Sequence, residues 1–320
     1  MAETSLRVFV KSITLEADRI NSYALYPASG EHLPTFTAGA HIDLQLHEGV
    51  IRSYSLINDQ SERHRYVIAV KREEAGRGGS AFVHDKLKVG DVLTVSAPRN
   101  NFAFDEAVHR SIFVAGGIGV TPILSMIRRA AALGRPWTLH YASRTRSDAA
   151  FLADIEMLAR VSGGEVNAVF DQQPGGGALG IPAIVSAAPG DAQLYCCGPL
   201  PMLEAFKDAG KCRQPHTVHL DYFSPREEAA TAGGFDVHLR KSGRTIAVAP
   251  GQTILNALLD AGVDVAYACS EGTCGTCETR VIEGMPDHRD VYLSDEERAE
   301  NKQIMICCSG ARTPVLVLDL

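Results

Sequence analysis

Three cysteines, Cys269, Cys274 and Cys277, fall within the nine residues CSEGTCGTC, and an adjacent pair, Cys307 and Cys308, follows downstream. The spacing C-x4-C-x2-C…C is the ligand pattern of a plant-type [2Fe–2S] cluster, in which four thiolates hold two irons. A short loop that supplies three of the four must turn tightly around the metal, and Gly272 and Gly275 give its backbone that freedom. One of the final pair completes the set. Cys307 is favoured, because it precedes the Cys-Ser step expected to open the last strand. The competing readings are a zinc site and a disulfide. Zinc sites usually repeat a C-x2-C knuckle twice, which this chain does not do, and nothing in the sequence points to an oxidising compartment.

A chain of 320 residues with 45% hydrophobic and 22% charged residues is long enough for two or three ordinary globular domains. The start, MAETSLRVFVKSITLEADRI, lacks the basic opening and apolar run of a signal peptide, and no stretch of 18 apolar residues occurs, so a cytoplasmic protein with no membrane partner is expected. The remaining cysteines, Cys196, Cys197, Cys212 and Cys308, suit a compartment where thiols stay reduced. A net charge of −7 disfavours nucleic acid as a partner and suits a carrier that docks on a basic patch of another protein.

The rhythm of the chain changes twice. Up to about Asn101, short β-branched runs such as LRVFVKSIT, HIDLQL, RSYSLIND and RYVIAVKR read as strands of an antiparallel sheet or barrel. From Phe102, strand and helix alternate (SIFVAG, PILSMIRRAAALG, WTLHYASR, FLADIEMLARV, EVNAVF, AQLYCCG, LPMLEAFKDAG), the pattern of a parallel α/β sheet. The polar segment SPREEAATAGG, Ser224 to Gly234, reads as a linker. After it, two strands, the helix ILNALLDAG, the cysteine loop and a closing strand PVLVLDL suit a small ferredoxin-like β-grasp domain. The expected boundaries are 1–103, 104–225 and 235–320.

Several motifs carry binding chemistry. On the strand Arg52-Ser53-Tyr54-Ser55-Leu56, Arg52 and Tyr54 share a face, pairing a guanidinium suited to phosphate with a ring suited to a flat heterocycle. A surface arginine beside a half-buried core tyrosine is the plainer alternative. The loop Gly76-Arg77-Gly78-Gly79-Ser80 leads into a helix and is either an anion site or a simple glycine loop. Gly116-Gly117-Ile118-Gly119-Val120-Thr121-Pro122 joins a strand to a helix, with Pro122 in a first turn that tolerates it. The turn lets backbone approach a pyrophosphate, but its spacing is not GxGxxG, so a tight structural turn stays open. Cys196-Cys197-Gly198-Pro199 ends another parallel strand, at the edge where open α/β sheets bind ligands, although buried cysteine is also ordinary core.

In the order RSYSL, GGIGVTP, CCGP and CSEGTCGTC…C, the chain resembles the phthalate dioxygenase reductase family over nearly its whole length. The resemblance implies a multidomain fold: an antiparallel β-barrel flavin domain, an α/β parallel-sheet NAD domain and a C-terminal plant-type ferredoxin β-grasp domain. It implies that Arg52, Tyr54 and Ser55 hold the flavin, with Lys71, Gly78, Gly79 and Ser80 lining its ring and phosphate, and that Gly116, Gly117, Gly119, Thr121 and Pro122 form the dinucleotide turn. It places Cys197 near the nicotinamide and Phe223 beside the flavin. Members with the ferredoxin at the C-terminus resemble one another in using FMN. NADH is the expected donor; Asp171 is placed to bind a ribose hydroxyl, whereas Arg144 and Arg146 would suit a 2′-phosphate.

The implied function is the reductase component of a multicomponent oxygenase, passing electrons from NADH through FMN and a [2Fe–2S] cluster to a terminal Rieske oxygenase, as a monomer. Ser270 and Thr276 are candidate hydrogen-bond donors to the cluster. A haem-thiolate monooxygenase is the alternative acceptor, and a redox-sensing binding protein the alternative outside catalysis.

Overall fold

The computed structural model describes residues 5–47, 50–74 and 76–320, which divide after Asp221 into two compact units. The first unit opens with six antiparallel strands: β1 (Ser5–Ala17), β2 (Ile20–Pro27), β3 (His41–Gln45), β4 (Ile51–Ser55), β5 (Tyr66–Lys71) and, after helix α1 (Gly79–Asp85), β6 (Val92–Ser96). Their order is β4-β3-β6-β1-β2-β5, and an antiparallel bridge between Leu56 and Ile68 joins the two ends, closing the sheet into a barrel. Alternate residues point inward, so Val8, Tyr23, Leu25, Ile42, Leu44, Leu56 and Ile68 fill it.

The same unit continues with β7 (Ser111–Gly116), α2 (Val120–Ala132), β8 (Trp137–Ser143), α3 (Leu152–Ser162), β9 (Glu165–Phe170), α4 (Ile181–Ala187), β10 (Gln193–Cys197), α5 (Leu200–Gly210) and β11 (Val218–Asp221). The sheet is wholly parallel, in the order β11-β10-β7-β8-β9. Its central strand SIFVAG is buried at every residue, as a strand covered on both faces requires. The strand order reverses between β7 and β10, which leaves a crevice beyond their C-terminal ends. Helix α2 packs against the barrel as well as the sheet, so Ala17, Ile20, Ala38, Ile57 and Ala69 share one core with Ile123, Leu124 and Ile127.

The second unit carries β12 (Phe235–Leu239), β13 (Thr245–Val248), α6 (Ile254–Asp260), β14 (Glu278–Glu283), β15 (Pro286–Asp287), α7 (Asp295–Glu300), β16 (Gln303–Met305), β17 (Gly310–Ala311) and β18 (Val315–Leu318). The mixed sheet β13-β12-β18-β14-β16, with β12 and β18 parallel, packs on α6 as a β-grasp fold. Two expectations need correction. Cys307 sits in the turn after β16, and the last strand begins only at Val315. The segment read as a linker has no regular structure, yet its end is pinned to the second unit: Ala230 N–H donates to the Cys308 carbonyl at 2.7 Å, Gly251 N–H donates to the Thr231 carbonyl at 2.8 Å, and Glu227 pairs with Arg289. Among the described residues no helix is long and apolar enough to cross a membrane.

Candidate functional site

On β4 the two-residue period sets Arg52 and Tyr54 on one face and Ser53 and Ser55 on the other. Tyr54 packs on the barrel core, and burial pushes its phenol pKa up against the opposing pull of the Arg52 charge. The Arg52 guanidinium donates to the Ile51 carbonyl at 2.8 Å and to the Arg77 carbonyl at 3.3 Å, which brings it to the start of α1. Gly79, the first residue of α1, lies so close that a Cβ there would stand 2.6 Å from Arg52 Nε. A guanidinium beside the backbone N–H groups of Gly78, Gly79 and Ser80 fits an anionic phosphate. Ser80 Oγ accepts from Glu73 N–H at 3.1 Å, and Lys71 Nζ pairs with Glu73 at 2.7 Å, so both flank this loop.

The glycine turn and the CCGP turn meet at the crevice of the parallel sheet. A Cβ at Gly119 would lie 2.3 Å from the Cys197 carbonyl oxygen, so backbone abuts backbone there, and one at Gly116 would lie 2.5 Å from Cδ of the Pro199 ring. Thr121 Oγ1 donates to the Ile118 carbonyl at 2.9 Å, and Pro122 sits in the first turn of α2 where its missing N–H is no loss. Cys197 is fully buried. Burial, with Asp221 and Cys196 nearby, drives its thiol pKa well up, so the side chain stays protonated and shapes the site by contact. Asp171 follows β9, its N–H donating to the Ser143 carbonyl at 3.2 Å, next to Arg144. Arg146 is held by both oxygens of Glu156, at 2.8 and 2.9 Å. Phe223 lies at the start of the second unit and is 39% exposed.

In the second unit Cys269, Cys274, Cys277 and Cys307 are all buried and converge. Hydrogen bonds from Cys274 and Cys307 lower the pKa of the Cys269 thiol, and one from Cys307 lowers that of Cys277; Cys307, bonded to Cys269, Cys277 and Cys308, is raised. Cys308 Sγ lies 3.7 Å from the Met305 carbonyl and 3.8 Å from Ser309 Oγ, while Cys307 is the one of the pair that bonds Cys269 and Cys277. The loop wraps the group closely. Gly272 and Gly275 adopt φ of +73° and +77°, and a Cβ on either would stand 2.4 Å from Cys308 Sγ or from the Tyr292 ring. Thr276 Oγ1 lies 3.3 Å from Cys274 Sγ, while Ser270 itself adopts φ +57° within the loop. Four buried thiols linked by hydrogen bonds fit the donor set of a [2Fe–2S] cluster. Sequence reading missed Tyr292 and its neighbours, which lie in a charged run, DHRDVYLSDEE, that carries no period or motif.

Three family models match the chain in sequence: an oxidoreductase FAD-binding domain over residues 11–104, an oxidoreductase NAD-binding domain over 113–208 and a 2Fe-2S iron-sulfur cluster binding domain over 237–312. The chain is 51% identical to phenoxybenzoate dioxygenase subunit beta of Ectopseudomonas oleovorans over 100% of its own length and 98% of the relative's. The solved structure of phthalate dioxygenase reductase matches with a TM-score of 0.76 at 38% identity, covering 99% of this chain and 98% of that one. An intact type IV self-sufficient cytochrome P450 monooxygenase matches with a TM-score of 0.85 at 38% identity, covering 99% of this chain and 41% of that one. Barrel, parallel sheet and β-grasp unit thus follow one another as in these relatives, and the chain belongs to the phthalate dioxygenase reductase family of flavin-, NAD- and [2Fe–2S]-dependent oxidoreductases.

Proposed function

We propose that this chain is the reductase component that supplies a terminal Rieske oxygenase with electrons from NADH, using FMN and one [2Fe–2S] cluster. The observation that carries the reading is the convergence of Cys269, Cys274, Cys277 and Cys307 in a β-grasp unit downstream of a flavin-type barrel and a dinucleotide-type sheet. When bound, the flavin and the cluster supply the conversion of a hydride's electron pair into single electrons. The protein binds and orients. Arg52 with the Gly78–Ser80 backbone takes the flavin phosphate, while Tyr54, Ser55 and Lys71 border the ring. The turn from Gly116 to Gly119, with Thr121 and Pro122, takes the dinucleotide pyrophosphate. Cys197 governs how the nicotinamide meets the flavin face. Cys269, Cys274, Cys277 and Cys307 ligate the irons, leaving Cys308 outside.

FMN is supported by the C-terminal position of the cluster domain, and NADH by Asp171 at the end of β9 together with the pairing of Arg146 to Glu156, which takes one of two arginines away from a 2′-phosphate. The assigned domains are 1–103 for flavin, 104–225 for NAD and 235–320 for the cluster, in a monomer working in the cytoplasm, where the cysteines outside the cluster, Cys196, Cys197, Cys212 and Cys308, stay reduced. The likeness to the cytochrome P450 monooxygenase favours a second reading, in which the acceptor is a haem-thiolate protein; the binding sites above are the same and only the docking face differs.

The test is the absorption spectrum before and after anaerobic NADH, with the released flavin identified, in the native protein and in Cys274→Ser. The variant is expected to lose the iron–sulfur shoulders and keep NADH-dependent bleaching of the flavin band. Loss of both would overturn the modular reading.

A further inference from the structure

The geometry points to residues 288–293 as a strap that clamps the two ligand-bearing segments of the cluster site together and shields the site from water, with Asp290 as its positioning residue. This rests on the cluster reading above. Three successive contacts make the strap. Arg289 N–H donates to Ser309 Oγ at 3.1 Å, two residues beyond Cys307. Val291 N–H donates to the Gly272 carbonyl at 3.0 Å, inside the loop that carries the other three cysteines. The Tyr292 ring then lies on Gly275, where a Cβ would be 2.4 Å from two ring atoms, and Leu293 dives into the core at 4% exposure.

Asp290 stands at the centre. Its side chain has no exposed surface, Oδ2 accepts Leu293 N–H at 2.8 Å, and the carboxylate lies 3.7 Å from both His288 Nδ1 and Arg298 Nη2. Arg298 also donates to the Asp290 backbone carbonyl, tying the strap to α7. A carboxylate buried to this degree is costly unless paired and hydrogen-bonded, so its retention at the turn of the strap fixes one backbone path. Its Cα would stand 2.9 Å from a Cβ on Gly272, so any shift of the strap is felt at the loop. Tyr292, 36% exposed, forms the outer surface of this layer. A [2Fe–2S] site held by four thiolates gains negative charge on reduction, and solvent exposure is one of the terms that set its potential. Water admitted by removal of the ring stabilises the reduced form and moves the potential upward.

The experiment uses the full-length holoprotein with Tyr292→Ala, Tyr292→Phe, Asp290→Ala and Asp290→Asn. It reads bleaching of the iron–sulfur shoulders by an iron chelator, the midpoint potential and the electron paramagnetic resonance spectrum of the reduced protein. Y292A and D290A are expected to bleach about tenfold to a hundredfold faster, the range seen when groups supporting metal ligands are removed, with an upward potential shift and altered g-values. Y292F keeps the ring and is expected to match the native protein. D290N keeps the acceptor for Leu293 but loses the charge, and falls between. NADH-dependent flavin bleaching checks that the rest of the chain is intact. Should D290A fail to fold, Y292A against Y292F still decides. Native-like bleaching and potential in Y292A would overturn the strap, whereas absence of the shoulders in the native protein would instead overturn the cluster reading.

Discussion

At Gly119 one missing methyl group holds two chain segments in contact. The Cβ of an alanine would meet the Cys197 carbonyl oxygen at 2.3 Å, and that atom is backbone at the end of a central strand, so it has little room to yield. Gly119→Ala is expected to cost about 1–3 kcal/mol of stability as an overpacked core does. It should also displace the turn beneath the dinucleotide, which a raised KM for NADH in stopped-flow flavin reduction would register. Arg52 acts through charge. Hydrogen bonds to charged groups contribute about 1.5–3 kcal/mol and each 1.4 kcal/mol is tenfold, so Arg52→Ala is expected to weaken flavin retention about tenfold to a hundredfold. Titration of the flavin-free variant with FMN measures it. The cysteine spacing and the Arg-x-Tyr strand were legible in the sequence because both are local: ligand number dictates the first, and the two-residue period of a strand the second. In the sequence, Cys307 is preferred to Cys308 through an expected strand that begins later in the chain; in the structure the support comes from the hydrogen bonds of Cys307 to Cys269 and Cys277.

Helix α2 joins the two halves of the first unit. Ser125 Oγ accepts Gly39 N–H from the barrel at 3.0 Å, Arg128 donates to the Ile57 carbonyl at 2.8 Å just beyond β4, and Arg129 donates to Glu106. The glycine turn at the head of α2 is thereby held relative to the barrel by the helix's own body. Hydrogen bonds from Arg129, and then Gln60, hold the Glu106 carboxyl below its ordinary value of 4.5. A carboxyl with a depressed folded pKa stabilises the fold above its unfolded value, and that contribution disappears as pH falls from about 4.5 through the folded value. Glu106 is 38% exposed, so solvent screening limits the contribution to about 0.5 kcal/mol. Glu106→Gln is expected to lower stability slightly at neutral pH and to flatten the acid limb of a thermal-melt profile below pH 4.5. An unchanged acid limb would contradict the assignment. Strand and helix positions in this region were readable from apolar runs and glycine turns, but the hydrogen bonds of α2 to the barrel were not, since their partners lie about 70 or more residues apart in sequence.

At the scale of the molecule, two units with separate cores are expected to unfold in separate steps. Differential scanning calorimetry of the holoprotein should resolve two transitions. An iron chelator should lower only the one assigned to the unit from Tyr222 to Leu320, because a metal that binds the folded unit is linked to that unit's stability. A single transition lowered as a whole would argue against independent units. From the sequence alone come the cluster motif, the alternation that makes the second sheet parallel and the order of the three binding modules, because each depends on residues close together along the chain. Only the tertiary structure decided that α2 binds barrel to sheet, that the end of the supposed linker is pinned to the second unit, and that Asp290 and Tyr292 close over the cysteine loop. Those contacts form between segments brought together by packing, and their strength depends on burial and approach, quantities that have no local signature.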